Sequence, residues 1–400
     1  MVEGLIAVFC AVSLAYFPLH WARFLGVSWD TSVYERAVAD YHSGADPYRT
    51  DSLFPFVYHP LVLRALALLN AVAPLKMLFP ALTLAALAWL SRELTKATAR
   101  AESAVAQSSP WTIGPRQFLL AVVVGGAFGG IAAPALMSGN LTPLFDFALL
   151  AALVRGRFAT GLFFRYLPYG LILLFSLVKP YILVCLAVPV MLYERRVAAL
   201  ACATVVVALF GVTWISFQWV WPDEYAHFLA NLQWHILGRG DWGYTFFFIF
   251  NNLTLHNVPL ALALHGVVAV VFLVLVEQFF KQRYAAGEVP FVPHLLVLYL
   301  VLTLANPRMK EYDLFPALVG LFTVLGALSR WANPLTLVAL SLAAFPTLEA
   351  VVPAAFATNH PMLFDPFGSW QLLGLGVFAV ALVVGVLETQ QSQPAAEVRS

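Results

Sequence analysis

Four polar stretches interrupt an otherwise apolar sequence, and they hold residues that can transfer a proton or bind an anion. Asp30 follows the first apolar run, Asn140 lies in "SGNLTP", Lys179 in "SLVKPY", and Arg308 and Lys310 in "ANPRMKEYD". A positioned carboxylate can act as a general base, whereas ammonium and guanidinium groups bind phosphate. The sequence therefore predicts a site that joins one carboxylate to phosphate-binding cations.

Each of these residues also has a simpler structural explanation. Aspartate is a favoured N-cap, so Asp30 could merely cap the helix that follows it. Lys179 precedes a helix-breaking proline and could snorkel from a turn to a membrane surface. The two cations of "ANPRMKEYD" could pair with the two carboxylates of the same stretch. These explanations stay open, and capping does not exclude catalysis.

Aromatic, histidine and amide side chains in the polar segments indicate sugar recognition. The C–H faces of a sugar stack on aromatic rings, and its hydroxyl groups form paired hydrogen bonds. The candidates for sugar or acceptor binding are Tyr34, Tyr58, His59, Asn140, Trp234, His235 and Tyr312. An aromatic belt at a membrane interface explains the tryptophans nearly as well. The histidines show no metal-ligand spacing strong enough to indicate a metal site.

The composition indicates what kind of fold must position these residues. Of 400 residues, 61% are hydrophobic and 11% are charged, whereas soluble domains carry about 25% charged residues. Apolar runs of about 20 residues cross the ~30 Å hydrocarbon core of a bilayer. The net charge of +1 gives no reason to expect nucleic acid. The sequence therefore predicts an all-α polytopic membrane protein.

About twelve transmembrane helices are predicted from the apolar runs. They begin near Leu5, Leu75, Phe118, Leu141, Gly161, Pro180, Val197, Val258, Pro290, Tyr312, Pro334 and Gln371. The fourth and sixth are short. Two further helices are expected at the membrane interface: an amphipathic helix in the first polar loop, ended by Gly44, and a second helix over residues 61–70. The apolar face of the first contains Val33, Tyr34, Ala37, Val38 and Tyr41.

Lysine and arginine positions predict the orientation, because cytoplasmic loops hold most of these residues. With the N-terminus inside, the first loop (residues 27–59), the long loop (residues 218–256) and the turn around Arg308 all fall on the extracytoplasmic side. We expect residues 1–388 to form one transmembrane domain. Residues 389–400 are predicted to be a disordered cytoplasmic tail, so both termini would be cytoplasmic.

Five stretches, taken in order, resemble glycosyltransferase family 87, the polyprenyl-phosphate-dependent mannosyltransferases of the GT-C superfamily. They are "WDTSVYERAVADYHSGADPY", "FVYHP", "GNLTPLFDFALLAALVRGR", "LILLFSLVKPYILVCLAVPVMLYERR" and "NPRMKEYDLFPAL". The likeness extends from Trp29 to Leu318. Gly139 and Asn140 stand where the family commonly has Gly-Gln.

The resemblance implies a GT-C-type fold and an inverting hexosyltransferase of the bacterial plasma (inner) membrane, with its active site facing the periplasm or exterior. The donor would be a polyprenyl-phosphate sugar, with mannose expected, and the acceptor a hydroxyl of a glycolipid or glycan. Asp30 matches the aspartate that serves as the base in the superfamily. Lys179, Arg308 and Lys310 would bind the donor phosphate. Because a phosphate-linked sugar needs no divalent ion to leave, we expect no metal and no other cofactor. Membrane lipid is then a partner, nucleic acid is not, and we expect a monomer.

Two other functions remain open. A transporter or flippase of lipid-linked sugars would share the size, the orientation and the aromatic surface. Transporters, however, tend to contain internal repeats and to bind substrate near the bilayer midplane, whereas no repeat is evident here and the polar residues collect at one surface. A non-catalytic subunit of a synthase would leave Asp30 dispensable.

Overall fold

The computed structural model describes residues 27–48, 54–104, 113–127, 129–234, 245–285 and 291–327, together with residues 7, 8, 10–12, 14 and 15. These residues lie in helices and in the turns between them, and no strand occurs among them. The prediction of an all-helical fold is therefore confirmed for this part of the chain.

The described residues form α-helices and one 3₁₀ helix. In chain order they are α1 Trp29–Ser43, α2 Pro60–Val72, α3 Leu75–Ala104, α4 Pro115–Ala127, α5 Gly129–Met137, α6 Thr142–Arg157, α7 Leu162–Ser176, a 3₁₀ helix Pro180–Leu186, α8 Ala187–Leu192, α9 Arg196–Val220, α10 Pro222–Gln233, α11 Phe246–Leu253, α12 Val258–Ala285, α13 Phe291–Leu304 and α14 Glu311–Ala327.

Three helical segments are long and apolar enough to cross a membrane: Leu75–Arg100, Arg196–Val220 and Val258–Gln278, of 26, 25 and 21 residues. About 20 residues are needed for one crossing. These segments coincide with predicted spans that begin near Leu75, Val197 and Val258.

Shorter apolar helices of 10–17 residues occupy the positions of other predicted spans within the described residues. The spans predicted as short are short: α6 has 16 residues, and the 3₁₀ helix and α8 together cover Pro180–Leu192. The spans predicted near Pro334 and Gln371 lie outside the described residues, and those predicted near Leu5 and Pro290 begin outside them, so the total of twelve stays a prediction.

Contacts between Cα atoms divide the chain into two compact units. The first unit comprises Met1–Phe17, Thr98–Ala132 and Gly243–Ser400, and in it α14 packs on α4 and α13, and α12 packs on α11 and α13. The second unit comprises Pro18–Ala97 and Ala133–Trp242. It contains α1, α2 and α6–α10. The prediction of a single domain over residues 1–388 stays a prediction.

Helix α6 is the central helix of the second unit. Twelve of its 16 residues are buried, and it forms an antiparallel pair with α7, because Phe145 near its start stacks on Phe175 near the end of α7 with 4.1 Å between ring centroids. A Cβ at Gly156 would lie 2.9 Å from Pro168 Cγ, so a glycine permits the close approach of the two helices.

The two ends of α6 differ in charge. At its C-terminal end Arg155 lies 3.8 Å from Glu93 of α3, and Arg157 lies 3.0 Å from Glu194. Lys96 also lies 3.6 Å from Glu93. The opposite end of α6 begins beside Asn140, roughly 20 Å away at 1.5 Å per residue. Basic residues that the orientation model places in the cytoplasm thus gather at one end of this helix.

The first predicted interfacial helix is α1. Four of its five predicted apolar positions are buried, namely Val33, Tyr34, Ala37 and Val38, and the ring of Tyr34 meets Phe79 of α3 edge-on at 5.9 Å. The fifth position, Tyr41, is 41% exposed, and the predicted contact of this face with a membrane surface stays a prediction. Gly44 adopts φ 76°, the predicted left-handed cap.

The second predicted interfacial helix is α2. It covers Pro60–Val72, whereas the sequence predicted a helix over residues 61–70. It ends before Pro74, and the long helix α3 then begins at Leu75. The sequence therefore located this separate helix and the start of the next one correctly.

Candidate functional site

The N-terminal end of α1 is bound to the turn between α5 and α6. The amide of Ser28 donates to the carbonyl of Met137 at 2.6 Å. The amides of Asp30 and Thr31 both donate to the carbonyl of Ser138, at 2.9 and 3.3 Å. The first amides of a helix have no partner within it. A turn more than 100 residues away in sequence supplies those partners and fixes the position of Asp30.

Gly139 makes the close approach of these two segments possible. The hydroxyl of Thr31 donates to the carbonyl of Gly139 at 3.2 Å, and Thr31 is fully buried. A Cβ at Gly139 would lie 1.9 Å from Thr31 Oγ1, and Gly139 has φ 69°. Glycine adopts this backbone conformation without the steric cost that other residues carry.

Asn140 joins the turn to the candidate base. Its Nδ2 donates to Asp30 Oδ2 at 3.0 Å. Its Oδ1 accepts from the amide of Thr142 at 2.9 Å and from the Thr142 hydroxyl at 2.7 Å. Because donors occupy one end of the amide, the nitrogen must face Asp30. Asn140 is buried and Asp30 is half-buried, so this pair lies at the edge of the protein interior.

Asp30 is not the N-cap of α1. The N-cap is Ser28, which has φ 62° and forms no capping side-chain bond, and the helix begins at Trp29. Backbone carbonyls of the α5–α6 turn take the place of a side-chain cap. The capping explanation of Asp30 is therefore wrong. Its carboxylate lies in the first turn of the helix, where the helix dipole favours negative charge.

Lys179 lies at the same end of the α6–α7 pair as Asn140. The Phe145–Phe175 stack sets the antiparallel alignment; Asn140 lies five residues before Phe145, and Lys179 lies four residues after Phe175. Lys179 is half-buried and immediately precedes the 3₁₀ helix. Two residues that the sequence analysis assigned to one site are thus at one end of the second unit.

Arg308, Lys310 and Tyr312 belong to the first unit. Asn306 Oδ1 accepts from the Arg308 amide at 3.1 Å, and Asp313 Oδ2 accepts from the Lys310 amide at 2.8 Å. Side chains thus bond to the backbone and hold this turn. Arg308, Lys310 and Tyr312 are half-buried. Their predicted role beside Asp30 stays a prediction.

Tyr34 and Tyr58 form a pair. Their hydroxyl oxygens lie 3.4 Å apart and their ring centroids 5.7 Å apart. Tyr34 is only 2% exposed, whereas Tyr58 is half-buried. The structure thus makes Tyr34 a core residue that supports Tyr58, and Tyr58 the one that a ligand can reach.

His59, a predicted sugar or acceptor contact, has a structural role. It is fully buried, its Nδ1 accepts from the Leu61 amide at 3.1 Å, and its Nε2 donates to the carbonyl of Thr213 in α9 at 3.1 Å. It thus caps α2 and attaches it to α9. Both ring nitrogens are engaged within the protein, and the predicted contact of His59 with sugar or acceptor stays a prediction. Burial lowers the pKa of His59, and its bond to Thr213 opposes that shift in part.

Trp234 and His235 were also assigned to sugar binding. Trp234 follows α10 and is 47% exposed, which suits a stacking surface. His235 lies outside the described residues.

Three residues that hold the site were not found by sequence reasoning: Thr31, Ser138 and Thr142. The two bonds from Thr142 to Asn140 Oδ1 have a signal in the local sequence. An asparagine that accepts from the amide two residues later is a recurrent turn at helix starts, and Asn140 precedes Thr142 and a proline in this way. Asn140, Leu141 and Thr142 also match the acceptor pattern for N-glycosylation. The Asn140 nitrogen that would carry the glycan is instead buried and bonded to Asp30. The bonds that the Ser138 carbonyl and the Thr31 hydroxyl make between α1 and the α5–α6 turn join distant segments and have no local signal.

Within the described residues, no group of three or more histidine, cysteine, aspartate or glutamate side chains could hold a metal ion. Comparisons with models of known families, with curated proteins and with solved structures give no match for this chain.

Proposed function

We propose that this chain is an inverting glycosyltransferase embedded in a membrane. It would move a sugar, mannose by the resemblance to glycosyltransferase family 87, from a polyprenyl-phosphate donor to a hydroxyl of a glycolipid or glycan. The reaction would take place on the extracytoplasmic side of a bacterial plasma membrane.

The hydrogen bond between Asp30 and Asn140 is the observation that carries the proposal. It joins the first and third of the stretches on which the resemblance rests, although 110 residues separate them in sequence. A carboxylate held by a buried amide has a defined direction, which a general base needs. A capping role, the simpler explanation of Asp30, is excluded by the start of α1 at Trp29.

The charge distribution of the second unit also supports this proposal. Asp30, Asn140 and Lys179 belong to one end of the α6–α7 pair, and Arg155 and Arg157 belong to the other. Arginine marks the cytoplasmic side of membrane proteins. The end that contains Asp30 would then face outward, where lipid-linked sugars are used by such transferases.

In the proposed reaction the oxygen of the acceptor hydroxyl attacks the anomeric carbon, and the bond from that carbon to the phosphate oxygen breaks. The hydroxyl proton passes to Asp30, and the electron pair leaves with polyprenyl phosphate. Attack opposite the leaving group inverts the configuration at the anomeric carbon. Negative charge grows on the phosphate, so a cation placed there in advance lowers the barrier. Lys179, Arg308 and Lys310 are the candidates for that role.

The decisive experiment replaces Asp30 by asparagine in the full-length chain. General base catalysis contributes about 10²- to 10⁴-fold, so transfer of labelled sugar should fall by about that factor. Asp40→Asn, the same change on the same helix, is the matched control and should retain transfer. Donor binding should persist in both variants, because the cations and not Asp30 hold the phosphate.

Retained transfer in Asp30→Asn would rule out Asp30 as the base. A transporter gives a different result: sealed vesicles would accumulate intact lipid-linked sugar without release of polyprenyl phosphate. Measuring released polyprenyl phosphate and sidedness in the same vesicles distinguishes these two functions.

A further inference from the structure

An open cavity lies at the C-terminal end of α1. Its volume is about 470 Å³, within the range of roughly 300–1,000 Å³ of small-molecule sites. It is bordered by the turn that follows α1, by the start of α2 and by the start of α10, all in the second unit. Asp30 lies at the other end of α1, roughly 20 Å away at 1.5 Å per residue.

Hydrogen bonds connect the segments that form the floor of this cavity. Asp46 Oδ1 accepts from the Tyr48 amide at 2.9 Å, and Asp46 Oδ2 contacts His227 Nδ1 of α10. Asn231 donates to the carbonyl of Tyr48, whose hydroxyl donates to the carbonyl of Tyr58 at 2.6 Å. Burial, with a smaller effect of nearby carboxylates, raises the pKa of Tyr48, so its hydroxyl stays protonated and donates. These bonds join the turn that follows α1 to α10 and to the carbonyl of Tyr58 beneath the cavity.

The lining offers both donors and acceptors. Arg64 and His227 can donate, and Asp223 and Glu224, in the first turn of α10, can accept. A phosphate would use only donors and an ammonium group only acceptors. A sugar hydroxyl donates and accepts, so a polyhydroxylated neutral ligand matches both sets. The lining contains three carboxylates, those of Asp46, Asp223 and Glu224, and one arginine. This excess of carboxylates also disfavours an anionic ligand.

Flat and apolar surfaces complete the lining. The Arg64 guanidinium lies over the Trp221 ring with 4.8 Å to its centroid, which fixes both side chains. Tyr41 is 41% exposed at the edge, and Leu63 and Pro47 add apolar surface. The C–H faces of a sugar ring can stack on such surfaces.

We propose that this cavity binds a neutral oligosaccharide and, resting on the proposed function, that it holds the non-reacting end of the acceptor glycan. The acceptor hydroxyl would then meet Asp30 at the other end of α1. Binding energy gained away from the reacting atoms can be used to position the reacting group.

Direct binding to the full-length chain in lipid nanodiscs tests the inference, with calorimetry as the measurement. The probes are linear trisaccharides of mannose, glucose and galactose, each compared with a phosphorylated and an amino-substituted counterpart. At least one neutral trisaccharide should bind, and its phosphorylated counterpart should bind about tenfold more weakly. Tighter binding of the phosphorylated or the amino probe, or no binding of any neutral probe, would overturn the inference.

Variants locate the binding in the cavity. Asp223→Asn combined with Glu224→Gln keeps the shapes and removes two charged acceptors, so affinity should fall about tenfold. Ala45→Trp fills the cavity from its exposed edge and should abolish binding. Glu194→Gln, on a side chain 80% exposed outside the cavity, is the matched control. Unchanged affinity in both cavity variants would refute the site.

The two proposals can fail separately. Asp30→Asn should leave trisaccharide binding unchanged. In transfer assays, the cavity variants should raise KM about tenfold for a trisaccharide acceptor and leave KM for a monosaccharide acceptor unchanged. Binding without transfer would refute only the proposed function. Transfer with equal KM changes for both acceptors would refute only the role of the cavity.

Discussion

The two ends of α1 can be compared directly, because one helix carries both. At its N-terminal end, buried polar groups surround Asp30, and carbonyls of the α5–α6 turn accept the first amides of the helix. At its C-terminal end, Gly44 closes the helix locally through bonds to Asp40 and Tyr41 carbonyls, and an open cavity follows. A distant segment therefore fixes the N-terminal end of α1. The C-terminal end is capped by residues adjacent in sequence and borders the cavity.

This difference corresponds to two chemical tasks. A base must be held within a fraction of an ångström of its productive position, which buried hydrogen bonds achieve. A surface that holds the rest of a large substrate needs space and exposed polar groups. We therefore expect substitutions at the N-terminal end to change turnover and substitutions at the C-terminal end to change affinity.

The largest effect is expected from Gly139→Ala compared with Gly44→Ala. Both glycines have positive φ, which costs an alanine about 1–2 kcal/mol. Only at Gly139 would the new Cβ also collide with Thr31, whereas nothing lies within 4 Å at Gly44. Gly139→Ala should therefore unfold at a clearly lower temperature than Gly44→Ala and lose transfer. Equal melting temperatures would show that the N-terminal end is not tightly packed.

Asn140→Leu should come next, because it removes the donor to Asp30. Misplacing a catalytic group costs on the order of 100-fold, so kcat should fall by about that factor with little change in KM. Asn140→Gln keeps an amide and should restore part of kcat. Thr142→Val, which removes one of two donors to Asn140, should have a smaller effect. A rise in KM alone would place Asn140 in substrate binding.

Tyr48→Phe tests the C-terminal end. It removes the bond to the Tyr58 carbonyl, which is worth about 1 kcal/mol, and leaves that carbonyl without this donor. A modest fall in melting temperature is expected. Tyr41→Phe, at an exposed ring, should leave the melting temperature unchanged. If the two variants have the same melting temperature, the bond between the Tyr48 hydroxyl and the Tyr58 carbonyl does not stabilise the floor of the cavity.

The smallest effect is a pH dependence through His59. Because burial lowers its folded pKa, the unfolded imidazole binds a proton first as the pH falls. Stability should therefore be complete above the ordinary histidine pKa of about 6.5 and be lost as the pH falls below it. His59→Asn, which can still cap α2, should melt with a weaker dependence between about pH 7.5 and 5.5. If His59→Asn leaves the pH dependence of the melting temperature unchanged, groups other than His59 cause that dependence.

Periodic and local features were predictable from the sequence. The buried positions of α1 follow from the 3.6-residue repeat, and Gly44 ends the helix because glycine accepts a left-handed conformation. Pro74 separates α2 from α3, and the long apolar runs begin where the three long apolar helices begin.

Pairings between distant segments were not predictable in the same way. The chemistry of Asp30 and Asn140 made each a candidate, but no period in the sequence indicates that their side chains meet. His59 illustrates the converse, because an exposed-looking histidine in a polar loop is buried between α2 and α9. The cavity forms only where residues 41–48, the start of α2 and the start of α10 approach one another, and packing alone decides that approach.

The shared acceptor at Ser138 has a consequence for how the site can be observed. One carbonyl oxygen binds the amide protons of both Asp30 and Thr31, so separating α1 from the α5–α6 turn releases both protons in a single opening event. Deuterium exchange at these two neighbouring amides should therefore show a common protection factor, once each rate is divided by the intrinsic exchange rate of that amide. That factor reports how large a fraction of the time the candidate base is out of its position, without any substrate present.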